Sequence, residues 1–237
     1  MDDVVRRKAP RAAKADKPAE KTATGWTQDP EGVRRNIVEV ATAEFAAKGF
    51  NGARVDEIAA KTSTSKRMIY YYFGDKEGLF VAVLEEAYAR IRGIERDLDL
   101  AGLAPDAALR ELTGFTFDYQ NANPDFVRLV MDENIHHGVH LDLSQRIRSV
   151  NASALTALSD VYRRGVEEEI FRPDLDVVDL HMIISAMCFF NVSNRATFSR
   201  IFGVDVAKPA VLAHRRSVVI DAVMRYALRK PKKRGTS

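Results

Sequence analysis

Apolar positions recur at helical spacing through most of the chain. Val33, Ile37, Val40, Ala41 and Phe45 share one face of a helix that Asp29-Pro30 should start and Lys48-Gly49 should end. Val55, Ile58 and Ala59 follow at i, i+3 and i+4, Thr62, Ser63 and Thr64 interrupt, and Ile69 with Phe73 resume the period in a second short segment. Further on, the pattern predicts helices from Lys76 to Leu98, from Pro105 to Asn121, from Pro124 onward, from Leu143 to Glu169, from Asp176 to Arg200 and from Pro209 to Leu228. No stretch alternates at the strand period, no Asn-Gly links two alternating runs and no internal repeat is found. The chain is therefore expected to be all-α.

The second short segment carries unusual residues on its polar side. With Ile69 turned inward, about 100° per residue brings Phe73 beside it and assigns Arg67, Met68, Tyr71 and Tyr72 to the outer half. Met and Tyr lose hydration when left bare, but they suit a DNA groove, where Met touches thymine methyls and phenols donate to phosphate. Thr64, Ser65 and Lys66 stand at the start of that helix, whose free amides attract anions. Gly74 is expected as a left-handed cap, Asp75 as the next N-cap, and Lys76 as a cation in a first turn, a position that a bridging phosphate would explain. The outline is a helix-turn-helix that reads duplex DNA.

The run Ser65-Lys66-Arg67-Met68-Ile69-Tyr70-Tyr71-Tyr72-Phe73 with Lys76-Glu77, preceded by Phe50 and Val55-Asp56-Glu57-Ile58-Ala59, resembles the recognition region of the TetR family of transcriptional regulators. The resemblance spans residues 30–80 and departs from the family pattern in three places. Tyr72 stands where His is usual, Ala53-Arg54 where Thr-Ser or Thr-Thr is common, and Ser63 where Gly makes the turn. Arg54 thereby becomes a candidate contact in place of a lost hydroxyl. The resemblance implies a three-helix DNA-binding head over 29–76 and a larger effector-binding and dimerisation domain over 77–228. It also implies a homodimeric repressor that holds a palindromic operator and is released by a small-molecule effector. Its last two helices would pack against their twofold mates, with Leu180, Ile183, Ile184, Met187 and Phe190 on one and Leu212, Val219, Val223 and Tyr226 on the other. Two heads one helical turn apart would read successive grooves.

Charge sharpens this picture. The formal net charge is +3, yet residues 6–21 hold seven Lys or Arg against two acids, and residues 229–234 hold five basic residues and no acid. The stretch 77–228 counts 16 basic and 22 acidic residues. A basic arm over 1–28, poor in large apolar side chains and expected to be disordered, and a basic tail over 229–237 thus flank an acidic body, as suits contact with DNA at one edge. The single cysteine, Cys188, lies in the longest apolar run, Ile183 to Phe190, and is expected as a buried free thiol. That run is too short for a membrane span and Met1-Asp2-Asp3 does not begin a secretory signal, so a cytoplasmic protein without a membrane partner is expected.

For the effector, Phe117, Met131, Asn134, His137, Phe190, Asn191 and Asn194 combine apolar and amide or imidazole groups as a sensing pocket requires. An alternative assigns Glu133, His137 and His140, at i, i+4 and i+7, to a metal-binding module or metal-dependent helical enzyme, although Gly138 interrupts the spacing. A third possibility is non-specific nucleic-acid binding through the basic ends. No phosphate loop, nucleophile elbow, zinc-type cysteine spacing or dinucleotide fingerprint occurs, so neither catalysis nor a cofactor is expected.

Overall fold

The computed structural model describes residues 29–229, so the arm over 1–28 and all but the first residue of the tail lie outside the described residues. Among the described residues every regular element is helical: α1 Pro30–Gly52, α2 Val55–Lys61, α3 Lys66–Phe73, α4 Lys76–Arg96, α5 Pro105–Ala122, α6 Pro124–Ile135, a 3-10 turn Leu141–Leu143, α7 Gln145–Glu167, α8 Val177–Ser193, α9 Arg195–Phe202 and α10 Pro209–Ala227. Local chemistry sets most of the starts. The Asp29, Ser65, Asp75, Ser144 and Asp176 side chains accept hydrogen bonds from first-turn amides, while α5, α6 and α10 open on proline.

Gly49 breaks α1 near its end, with φ 70° and ψ 170°, a conformation that only glycine adopts at little cost. A Cβ there would stand 2.6 Å from Asp132 Oδ1, so the glycine also permits the approach of α6. Beyond the break the Phe50 N–H donates to Asp132 Oδ2 at 2.7 Å, and Asn51 Nδ2 lies 3.0 Å from His136 Nε2. The end of α1 is thereby tied to the end of α6.

The expected single helix from Asp176 to Arg200 is two helices bent by 67° at Asn194. Asn194 ends α8 with its own amide turned to the Ser193 hydroxyl, and its carbonyl accepts the first bond of α9 from Phe198. No single helix among the described residues is long and apolar enough to cross a membrane; α8 and α9 reach the composition only together, across that bend.

Two apolar clusters form the core. The first joins Ile37, Phe45, Ile58 and Ile69 of the three head helices to Leu79, Phe80, Val83 and Leu84 of α4, with Leu129 and Ile147 added from α6 and α7. A boundary at 76/77 therefore cuts through one packed unit, because the first half of α4 supplies the floor of the head. The second cluster holds Leu109, Phe117, Leu158, Leu180, Cys188 and Val219. Leu180, Ile184, Val219 and Val223, assigned above to a dimer face, lie buried inside their own chain. Of the set expected on α8, Phe190 is exposed, and Val178 and Met182 are the other large apolar residues exposed on that helix.

Glu44 joins α1 to α2. Its buried carboxylate pairs with Lys48 one turn on and with Lys61 at the end of α2, and Lys48 also holds Glu57. Hydrogen bonding from Lys48, then from Lys61, holds this carboxyl down at about 2 against a reference of 4.5, with burial opposing. A folded value below the unfolded one means a contribution fully present above about 4.5 and lost as pH falls toward 2. Thermal melts from neutral pH downward should therefore show the wild type losing stability across that window, and Glu44→Gln should flatten that part of the curve. An unchanged slope in the variant would assign the acid sensitivity elsewhere.

Candidate functional site

Helix α3 stands out from the head on one buried anchor, Ile69. The Ser65 hydroxyl accepts from the Met68 N–H at 3.3 Å, fixing the helix start in the turn after Thr64. Arg67 is exposed, as are Met68 at 36% and Tyr71 at 78%, so these three expected side chains share the outer surface. Tyr72 does not join them. It is half-buried against the head core, with its ring 5.5 Å from Tyr71 and 6.2 Å from Phe73. Tyr70, missing from the expected set, is 39% exposed. The angular count explains both: about 300° from Ile69 returns Tyr72 to within ~60° of the inward direction, whereas Tyr70 lies ~100° away.

The remaining cations gather beside α3. Arg54 is exposed at the start of α2, and an open notch bordered by Asn51, Arg54, Lys66, Tyr70 and Lys76 lies between the α1–α2 corner and α3. Lys66 Nζ reaches Asp56 Oδ1 at 2.9 Å and approaches the Tyr70 ring at 5.8 Å; the Asp56 bond raises its pKa. This surface pair contributes little by itself, and a phosphate can replace the carboxylate. Lys76 lies 4.9 Å from the Phe50 ring and 3.5 Å from the Asn51 carbonyl, with its pKa lowered by burial and Asp132 opposing. Gly74 has the expected positive φ, 81°, but ψ is −67°, outside the left-handed helical region; Asp75 then accepts from Gly78 N–H at 2.7 Å.

The residues expected to line a sensing pocket are dispersed. Phe117 is sealed in the body core, Met131, Asn134 and His137 are exposed along and just beyond α6, and Phe190, Asn191 and Asn194 border a small cleft of about 170 Å³ near the α8–α9 bend. A larger cavity of about 440 Å³ lies elsewhere, framed by α4, α5, α6, α7 and α8. Tyr88, Phe126 and Phe189 give it aromatic walls, and Arg92, Asn151 and His181 give it polar ones. Helical period marks inward residues but not which inward faces from five helices leave space between them, so these were not legible beforehand. Cys188 takes no part: burial pushes its thiol up to about 12, which keeps it protonated and unreactive.

The metal constellation does not form. Helix α6 ends at Ile135, and His137 has φ 60°, so the i, i+4, i+7 alignment is lost at the residue before Gly138. Glu133 and His140 instead bond each other, with Oε2 2.7 Å from Nδ1, while Glu133 Oε1 accepts from the His140 backbone at 2.9 Å. His140 lies between the Phe50 and Phe80 rings, at 4.6 and 4.9 Å. The buried pair thus closes the joint between head and body.

Comparison with known proteins places both regions in one group. Residues 37–83 match the profile described as bacterial regulatory proteins, tetR family, and residues 105–223 match the tetracyclin repressor-like C-terminal domain. The HTH-type transcriptional repressor NicS of Pseudomonas putida is 36% identical over 198 residues, covering 84% of this chain and 93% of that protein. The HTH-type transcriptional repressor SCO4008 of Streptomyces coelicolor is 35% identical over 62% of this chain and 74% of its own length. Among solved structures, the regulator SCO4942 of Streptomyces coelicolor superposes with a TM-score of 0.62 at 29% identity, over 84% of this chain and 99% of that one. The ketosteroid transcriptional regulator KstR2 of Mycobacterium tuberculosis shares the fold, with a TM-score of 0.63 at 22% identity over 83% and 95% of the two chains.

Proposed function

The chain belongs to the tetR family of bacterial regulatory proteins, and we propose that it acts as a homodimeric repressor that holds a palindromic operator through α3 and releases it when a small molecule fills the body cavity. It is a DNA-binding transcriptional regulator and not an enzyme, as its relatives' names indicate. The outward face of α3 carries the reading: Arg67, Met68 and Tyr71 project from a helix whose opposite side packs on the head through Ile69, Tyr72 and Phe73. Thr64, Ser65, Lys66 and Arg54 would hold phosphates around it, and Tyr70 takes the place first given to Tyr72. Lys76, partly covered by Phe50, would complete the notch.

A dimer is supported by the uncovered Val178, Met182 and Phe190 along α8, which stand out from a helix already packed on its other side. Release is supported by α4. It starts beside the notch at Lys76 and forms one wall of the cavity from Tyr88 to Glu95, so a shift at one end is felt at the other.

Electrophoretic shifts with DNA upstream of the chain's own gene test the reading, and absence of any sequence-selective shift by the pure protein defeats it. Within it, Arg54→Ala should weaken binding to all sequences alike and reduce the log–log salt slope by about 0.9 per subunit, since each phosphate contact releases counterions. A slope equal to that of the wild type would remove Arg54 from the interface.

A further inference from the structure

Taking the body cavity as the effector site, we propose that the ligand it accepts is an aromatic carboxylate, with its ring against Tyr88, Phe126 and Phe189 and its carboxylate on the Arg92 guanidinium. The apolar half of the argument is geometric. The Tyr88 and Phe126 rings meet edge to face at 5.5 Å, Phe189 contributes from α8, and about 440 Å³ is room for one ring system with a substituent.

The polar half is a matter of charge and donors. Arg92, whose side chain is 15% exposed, donates from Nε to Asn151 Oδ1 at 3.0 Å and from Nη1 to the Glu95 carboxylate. Its Nη2 has no protein partner among the described residues, although Arg92 borders the cavity. Glu95 is the one carboxylate among the cavity's lining residues, whereas Arg148 brings a second guanidinium; its carboxylate partner, Asp142 at 3.7 Å, stands outside that lining. His181 from α8 completes the set. Burial first, and Arg92 second, hold its imidazole below the usual value, so it adds no charge at neutral pH.

Within the chamber Glu95 balances Arg92, and Arg148, 57% exposed, sits beside Asp142 at the surface, so what the lining offers an anion is the unpartnered Nη2 donor of the largely buried Arg92. A ligand carboxylate gives that donor a charged acceptor, the stronger partner for a guanidinium. An amide gives it a neutral acceptor, and an ammonium gives it none and is repelled by the guanidinium. The Arg92 to Asn151 bond joins α4 to α7, so a carboxylate that draws Arg92 into the cavity loosens a link on the same helix that carries Lys76.

Calorimetric titration of the full-length protein with naphthoate, naphthamide and naphthylmethylamine, substituted at the same ring position, tests the assignment. Naphthoate is expected to bind about ten-fold more tightly than the amide, the difference between a charge-assisted and a neutral hydrogen bond, and the amine most weakly. In the double variant Arg92→Gln, Glu95→Gln, which replaces the ion pair by neutral side chains of similar length, the acid-to-amide ratio should fall to about one. Equal or tighter binding of amide or amine, no binding of any of the three, or a ratio that survives in a folded double variant overturns the proposal; the wild-type ranking decides it even if the variant does not fold. DNA release is read separately, by fluorescence anisotropy of bound operator. Naphthoate that binds selectively without releasing DNA sustains the ligand class and defeats the effector reading, whereas release by all three equally defeats the class alone.

Discussion

Arg67→Ala is expected to lower affinity for the preferred operator by at least about 30-fold while changing affinity for unrelated duplex only a few-fold. A good bidentate contact between a side chain and a base distinguishes the right base by about 1–3 kcal/mol, and a symmetric dimer loses it twice. Arg67 is the candidate for such a contact because it is exposed on the first turn of α3 and has no ion-pair or hydrogen-bond partner among the described residues. Lys66 beside it is held by Asp56, which suits a phosphate position better than base reading. Competition between the operator and half-site variants would show the discrimination concentrated at one or two base pairs and lost in the mutant. A uniform loss across all sequences, with a shallower salt dependence, would make Arg67 a phosphate contact and move the reading to Met68 and Tyr71.

Helix starts and the DNA-facing segment were legible because the chemistry that sets them is local. Asp29, Ser65 and Asp75 cap the helices that the sequence pattern places after them, and Ile69 is buried with Phe73 packed beside it as the angular count requires. The same count brings Tyr72 within about 60° of the inward direction, which is why its ring packs partly on the head core and not beside Tyr71 on the outer face. The bend at Asn194 is different. Apolar residues continue at helical spacing on both sides of it, and only the packing of α9 away from the line of α8 reveals the turn. The cavity is further still from local reading. Its lining comes from five helices, and residues of apt chemistry such as Phe117 and Asn191 went to solid core and a separate cleft. The constellation at Glu133 failed for a backbone reason, the positive φ at His137, which Gly138 only hinted at.

Phe80→Ala is expected to lower the melting temperature by about 6–20 °C. Truncating a buried phenylalanine costs about 3–5 kcal/mol, and a chain of this size shifts about 2–4 °C per kcal/mol. Phe80 is fully buried, and its ring meets Phe45 at 4.9 Å, Phe50 at 5.1 Å and His140 at 4.9 Å, so the void opens where α1, α4 and the turn after α6 converge. The consequences should reach both ends of the molecule. Phe50, which carries the Lys76 ammonium on its face, loses its support beside the DNA notch. Ile147, which packs in the same cluster, is also part of the cavity wall. Operator affinity and cavity-ligand affinity, measured well below the new melting temperature, should therefore both fall, with Phe80→Leu intermediate because much of the volume is retained. If melting falls as expected but ligand affinity stays at the wild-type value, the aromatic cluster supports the head without transmitting to the body, and coupling must run through the Arg92 end of α4 instead.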